Sequence, residues 1–138
     1  MKIFIAAPYT YNFDTISVNK LRELVKTIGH EPLVPHDFAT DDPAKIKEEI
    51  AFDLSLVDDS DAIIADTTIP SHGVGMEIMY AKQKGKKVII IHKNGNKDGR
   101  TEGTSVRISH MVVYHADEII YYDDIEELED KLKAILTK

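Results

Sequence analysis

Residues 63–78 read IIADTTIPSHGVGMEI, in which an apolar strand passes through a turn into a helix that opens with glycines. In an open α/β sheet, ligands bind outside the carboxyl ends of the strands, and a glycine-rich turn lets backbone N–H groups approach an anion. We place Glu77 in the first turn of this helix. The helix dipole stabilises a carboxylate there by about 0.3–1 kcal/mol, which keeps Glu77 ionised for use as a nucleophile or base. An ordinary first-turn acid behind glycines that permit close packing explains the pattern equally well.

Size and composition predict one compact domain spanning residues 1–138, long enough to bury a core without disulfides or metals. There is no cysteine, which is compatible with a reducing cytoplasm, where we expect the protein to reside. The net charge of −7 disfavours binding to a nucleic-acid polymer. The apolar run at the N-terminus is too short for a signal or membrane-spanning segment, so no membrane partner is expected.

Strands and helices alternate on both sides of residues 63–78. Apolar runs predict strands at Lys2–Ala6, Glu31–Pro35, Ala62–Asp66, Lys86–Ile91 and Glu118–Tyr121. Helical spacing of apolar residues predicts five helices. The first contains Val18, Leu21, Leu24, Val25 and Ile28 and stops at Gly29, and the second starts at Asp41-Asp42-Pro43 and buries Ile46, Ile50, Leu54 and Val57. The third contains Val74, Ile78 and Ala81, a short fourth lies within Thr104–Tyr114, and the last contains Ile125, Leu128, Leu132 and Ile135. A polar loop is expected from His92 to Arg100. The order predicts an α/β fold of the flavodoxin-like, doubly wound type, with a five-stranded parallel sheet flanked by helices.

Asp53 interrupts the apolar face of the second helix. At 100° per residue it lies between Ile50 and Val57, where a carboxylate is costly unless it is paired, hydrogen-bonded or beside a wet cleft. A boundary Asp that caps another group is the alternative. Asp53 and Glu77 together suggest glycosidic chemistry, because one carboxylate can attack an anomeric carbon while a second group manages protons. Other acidic clusters fit helix starts and solvated surface, so no metal or cofactor is expected.

The chain closely resembles the nucleoside 2-deoxyribosyltransferase superfamily at Asp53-Leu54, Ser60-Asp61, Pro70-Ser71-His72-Gly73-Val74-Gly75-Met76-Glu77, Ala81 and Lys87. Within the superfamily, the pattern Pro-Ser-X-Gly-Val-Gly-X-Glu is most similar to the 2'-deoxynucleoside 5'-phosphate N-hydrolases. This implies an N-glycosidase in which Glu77 is the nucleophile and Asp53 its catalytic partner, 24 positions earlier (77 minus 53). It also implies that Ser71 binds a 5'-phosphate beside Gly73, since the transferases carry Asp at that position.

A second segment, Arg107–Met111, resembles a family region whose Ser reaches the phosphate of the neighbouring subunit. It implies a homodimer with Ser109 and Met111 in the substrate site. The resemblance fails after the first strand, where the hydrolases have an Arg-rich loop and this chain has Ala6-Ala7-Pro8-Tyr9. We expect Ala6 and Pro8 to contact substrate and Tyr9 to supply a catalytic phenol, although a packing role for Tyr9 is equally consistent. His36 matches a His that lines the family site.

The resulting prediction is hydrolysis of a 2'-deoxynucleoside 5'-monophosphate to free base and 2-deoxyribose 5-phosphate through a covalent intermediate on Glu77. The alternatives are a deoxyribosyltransferase, which Ser71 disfavours, and an N-hydrolase of ribonucleotides such as CMP. A non-catalytic nucleotide-binding module, such as a receiver domain with Asp66 as phosphate acceptor, is a third. The first strand ends in Ala6-Ala7-Pro8 without the acidic pair that a receiver needs.

Overall fold

The computed structural model describes residues 1–8, 16–35, 41–94 and 108–137. Its elements, in chain order, are β1 (Lys2–Ala6), α1 (Val18–Ile28), β2 (Glu31–Leu33), α2 (Pro43–Asp59), β3 (Ala62–Asp66), α3 (His72–Gln83), β4 (Lys87–Lys93), α4 (His110–His115), β5 (Glu118–Tyr122) and α5 (Ile125–Leu136). No helix in these ranges is long and apolar enough to cross a membrane.

The five strands form one parallel sheet in the order β2-β1-β3-β4-β5. All residues of the central strand β3 are buried, as expected for a strand covered on both faces. The predicted flavodoxin-like parallel sheet is therefore confirmed. The strand order reverses between β1 and β3, which opens a crevice at the carboxyl edge of the sheet.

Two apolar cores cover the two faces of the sheet. On one face, α1 and α5 pack against residues such as Ile5, Ile64 and Tyr122. On the other, α2 and α3 pack against Phe4 and Ile63, and α4 closes the edge. Burying one Ile or Phe stabilises the fold by about 1.5–3 kcal/mol, so these cores hold the carboxyl edge in place.

The helices begin at this carboxyl edge, and each has a Ser or Asp side chain as its N-cap. The capping residues are Ser17, Asp42, Ser71, Ser109 and Asp124, and each side chain accepts a hydrogen bond from a backbone N–H in the first turn. Such a cap contributes about 1 kcal/mol. The predicted stop at Gly29 is confirmed, with a left-handed φ of 105°.

Several predicted boundaries were wrong. β2 ends at Leu33, two residues early. β4 continues to Lys93, so His92 belongs to a strand and not to a loop. The short helix expected within Thr104–Tyr114 is α4, which ends one residue later than expected, at His115, and has Ser109 as its N-cap; residues 104–107 lie outside the described ranges.

The predicted apolar face of α2 was also largely wrong. Val57 is buried, whereas Ile46 and Leu54 are half-buried and Ile50 is 43% exposed. The 17 residues of α2 span roughly 26 Å, whereas a five-residue strand spans roughly 17 Å. The helix therefore overhangs the carboxyl edge, and its first half has no sheet to pack against.

Candidate active site

Glu77 lies in the second turn of α3, not in the first. The Ser71 Oγ accepts a hydrogen bond from the Val74 N–H at 3.3 Å, so the helix begins at His72 and Glu77 is its sixth residue. The prediction failed because Gly73 and Gly75 belong to the helix itself. At this depth the helix dipole has little effect on the carboxyl.

The sequence predicted that the Glu77 carboxyl is held ionised, and the structure does not support this. Burial and, to a smaller extent, the negative charge of Asp53 together raise its pKa to about 8. At neutral pH this carboxyl is therefore mainly protonated. Desolvation combined with a like charge is the usual origin of such a shift, and it is common at functional sites.

Asp53 is buried on α2, with 7% of its surface exposed, as its position on the inward face predicted. Because α2 packs against α3, this side chain lies close enough to Glu77 for their charges to interact. Packing between the two helices thus brings together the two carboxyls that the sequence singled out. When one proton is shared, such a pair supplies both a carboxylate and a carboxylic acid.

A cavity of about 150 Å³ lies at the start of α3, between α3 and α4. Three hydroxyl-bearing residues, Thr67, Ser71 and Ser109, contribute to its lining. Its other walls are mainly apolar and include Ile69, Val74, Ile78, Ile108 and Val112. Ser71 and Ser109 of a single chain therefore reach the same cavity.

The hydroxyl groups of the N-cap residues Ser71 and Ser109 can each still donate a hydrogen bond to a ligand. Ser71 Oγ accepts from the Val74 N–H, and Ser109 Oγ accepts from the Met111 N–H, each at 3.3 Å. A hydroxyl that accepts through a lone pair can still donate its own hydrogen. An anionic group at the start of α3 would accept hydrogen bonds from both hydroxyls and from the backbone N–H groups of the first turn.

Among the described residues, none packs so closely against Gly73 or Gly75 that a glycine is required there. A Cβ at Gly73 would come no closer than 3.9 Å to another heavy atom, the Ser71 Oγ, and one at Gly75 would meet nothing within 4 Å. Neither glycine has a positive φ. The space above Gly73 is therefore open to a ligand.

The remaining predicted site residues are less informative. Ala6 is fully buried in the core, Pro8 is half-buried at the end of β1, and Met111 is 66% exposed on α4. Tyr9 and His36 lie outside the described residues. Within the described ranges, no group of three or more His, Asp or Glu side chains is arranged to hold a metal ion.

A set of polar residues that the sequence pattern did not single out joins the end of β3 to β4. Thr67 N–H donates to the Ile91 carbonyl at 3.0 Å, and the Thr68 hydroxyl accepts from the Lys93 N–H at 3.0 Å. His92 is 5% exposed, and its Nδ1 lies 3.1 Å from the Thr67 Oγ1. These contacts fix the turn that leads to Ser71. The only signal in the sequence was the placement of two threonines directly after a strand.

Another missed residue is Glu49, one turn before Asp53 on α2. Its Oε2 is buried and has no hydrogen-bond partner among the described residues. A further carboxyl oxygen thus lies on the overhanging part of α2. The spacing of four residues from Asp53 was the available signal.

No protein-family model matches the chain, but proteins with known names are similar to it in sequence. A Thermofilum pendens protein named "Putative 2'-deoxynucleoside 5'-phosphate N-hydrolase 1" is 28% identical over 143 aligned positions, which cover 99% of this chain and 95% of that protein. A Methanosarcina mazei protein of the same name is 36% identical over 87 positions, which cover 61% of this chain and 48% of that protein.

Two solved structures share the fold. A 2-deoxyribosyltransferase from Bacillus psychrosaccharolyticus has a TM-score of 0.68 at 18% identity, over 94% of this chain and 91% of that chain. A CMP N-glycosidase from Clostridium botulinum has a TM-score of 0.63 at 19% identity, over 96% of this chain and 98% of that chain. The chain is therefore similar in sequence to two proteins that carry this N-hydrolase name, and it shares the fold of a 2-deoxyribosyltransferase and of a CMP N-glycosidase.

Proposed function

We propose that this protein hydrolyses the N-glycosidic bond of a 2'-deoxynucleoside 5'-monophosphate and releases the free base and 2-deoxyribose 5-phosphate. The observation that carries the proposal is the Asp53–Glu77 pair, in which the charge of one carboxyl raises the pKa of the other. The names of the two sequence relatives support the same reaction.

The reaction divides into two steps. The proton shared by the pair first moves from Glu77 to Asp53. The resulting Glu77 carboxylate attacks C1' and forms a glycosyl ester, while the C1'–N bond breaks and its electron pair leaves with the base. Asp53 delivers the shared proton to the departing base. A water molecule then attacks C1', returns a proton to Asp53 and frees the Glu77 carboxylate. The net consumption is one water.

The 5'-phosphate would bind in the cavity at the start of α3. Its charge would be met by the N–H groups of the first turn and by the hydroxyls of Ser71 and Ser109. The open space above Gly73 supports a close approach of the phosphate to the backbone.

A receiver-type role for Asp66 has little support. Asp66 is fully buried, and its Oδ1 accepts from the Thr68 N–H at 2.9 Å. Burial also raises the pKa of this carboxyl, which favours its protonated form. A phosphate acceptor must instead be an accessible carboxylate.

Chromatography of the reaction products tests the proposed reaction. The protein is incubated with each deoxynucleoside 5'-monophosphate, its ribose counterpart and the free deoxynucleoside, with and without a second base. We expect free base from the deoxy monophosphates in either condition. A new nucleoside formed only with the second base would identify a transferase. Free base released from ribonucleotides alone would identify a ribonucleotide N-hydrolase. No product from any substrate would favour a non-catalytic nucleotide-binding module.

Ser71→Asp provides the matched test of the phosphate site. Aspartate is as good an N-cap as serine, so α3 should still form, but its charge would repel the phosphate. We expect KM for the monophosphate to rise at least about tenfold, equivalent to a loss of about 1.4 kcal/mol. Ser17→Asp, at the N-cap of α1 on the opposite face of the sheet, is the control and should leave KM unchanged.

We also propose that a second copy of the chain covers α3 and α4. Large apolar side chains are exposed there, with Met76 at 75%, Met111 at 66% and Tyr114 at 82%. Large exposed apolar side chains on two neighbouring helices commonly mark an interface. Tyr114→Glu should sediment as a monomer, whereas wild type and Ile125→Glu, on the opposite face, should sediment as dimers. A monomeric wild type at high protein concentration would refute the dimer.

A further inference from the structure

Thr67 is a hydroxyl-bearing residue that lines the α3 cavity, and neither the resemblance nor the relatives assign it a role. It directly follows β3 and lines the same cavity as Ser71 and Ser109. Its Oγ1 lies 3.3 Å from the Ile91 carbonyl oxygen and 3.1 Å from the Nδ1 of His92. The hydroxyl therefore contacts a carbonyl and an imidazole on β4.

The single hydroxyl proton of Thr67 determines how these two contacts can form. A carbonyl oxygen only accepts, so the Thr67 hydroxyl must donate its proton to Ile91. The contact with His92 is then a hydrogen bond only if Nδ1 carries hydrogen and donates to Thr67 Oγ1. Both contacts are satisfied together by this one arrangement.

His92 is well held for such a role. It is 5% exposed at the carboxyl end of β4, and its ring meets the Tyr121 ring edge to face at a centroid distance of 6.0 Å. The Ile91 carbonyl, in turn, already accepts from the Thr67 N–H at 3.0 Å. Turning the Thr67 hydroxyl away from Ile91 therefore leaves no acceptor unsatisfied.

We infer that Thr67 donates a hydrogen bond to the 5'-phosphate of the substrate and that His92 is the positioning residue that makes this possible. By donating to Oγ1, His92 occupies the lone pair that faces it, and the Thr67 proton is free to turn toward an anion in the cavity. Thr67 then acts as a third hydroxyl donor beside Ser71 and Ser109. This inference rests on the proposed function.

The test compares four variants, Thr67→Val, His92→Phe, His92→Asn and the Thr67→Val/His92→Phe double variant. Valine matches threonine in shape, phenylalanine keeps the ring beside Tyr121, and asparagine restores an N–H donor near the Nδ1 position. KM and kcat are measured with a deoxynucleoside monophosphate, and the dissociation constant of 2-deoxyribose 5-phosphate is measured by titration calorimetry. Melting temperatures check folding.

We expect Thr67→Val and His92→Phe each to raise KM and the dissociation constant about tenfold, with kcat within about threefold of wild type. His92→Asn should restore wild-type binding, and the double variant should bind no more weakly than either single variant, because both changes remove the same hydrogen bond. A general loss of packing would instead lower kcat and would not be rescued by asparagine.

Two results would overturn the inference: unchanged binding in both single variants, or effects that multiply in the double variant. If His92→Phe fails to fold, Thr67→Val and His92→Asn still decide the matter. Failure of the proposed function looks different, because wild type would then release no base while 2-deoxyribose 5-phosphate binding still responds to these substitutions. Base release with binding unaffected by any variant would retain the function and refute the role of Thr67 and His92.

Discussion

Glu77→Gln should lower the rate of base release by on the order of 10⁴-fold, because an amide cannot form the glycosyl ester. KM should change little, since the side chain keeps its size and position. The rate is measured as base released from a deoxynucleoside 5'-monophosphate. With wild type, rapid acid quenching should trap a protein species heavier by one deoxyribose phosphate, and this species should be absent from the variant. A variant that retains more than about a tenth of the wild-type rate would exclude Glu77 as nucleophile.

The thermal stability of Glu77→Gln should also differ from that of wild type in a way that depends on pH. The folded-state pKa of Glu77 is about 8, above its ordinary value of 4.5, so the folded chain holds a proton that the unfolded chain has released between these two values. This carboxyl therefore lowers stability progressively as pH rises from about 4.5 to about 8. Glu77→Gln removes that loss. Its melting temperature should match wild type at about pH 4.5 and exceed it at about pH 8.

Asp53→Asn should lower the maximal rate by about 10²- to 10³-fold, the usual loss when a general acid is removed. It should also change the pH profile. In wild type, the pair retains a proton up to about pH 8, because burial and the Asp53 charge raise the pKa of Glu77 to that value. Loss of this proton leaves no acid for the departing base. Wild-type kcat/KM should therefore fall above about pH 8.

In Asp53→Asn, the smaller cause of the raised Glu77 pKa is removed, whereas burial, the larger cause, remains. The decline near pH 8 should disappear because the variant lacks the group that passes the proton to the base. Asp59→Asn, which removes an exposed carboxyl near the end of the same helix, is the matched control and should keep the wild-type profile. If Asp53→Asn kept the decline, another group would be the acid. A wild-type rate that rises through pH 8 would show that the proton on the base comes from elsewhere.

The sequence predicted the features that depend on local pattern. Apolar runs predicted the five strands, and the helical position of Asp53 predicted its burial. The ionisation of Glu77 could not be predicted in this way, because it depends on where the helix starts and on how closely α2 packs over it. His92 was assigned to a loop because it is polar, yet its bond to Thr67 allows it to be buried in a strand. Tyr9 and His36 stay predictions.

The overhang of α2 has a mechanical consequence for the carboxyl pair. Val57 is buried, and Pro43, at the exposed tip of α2, lies about 21 Å from it along the helix axis, whereas Asp53 lies only about 6 Å from it. If the tip is displaced by 1 Å, Asp53 therefore moves by roughly 0.3 Å, by simple leverage on these helix lengths. A displacement of the tip would therefore leave the separation between Asp53 and Glu77 almost unchanged.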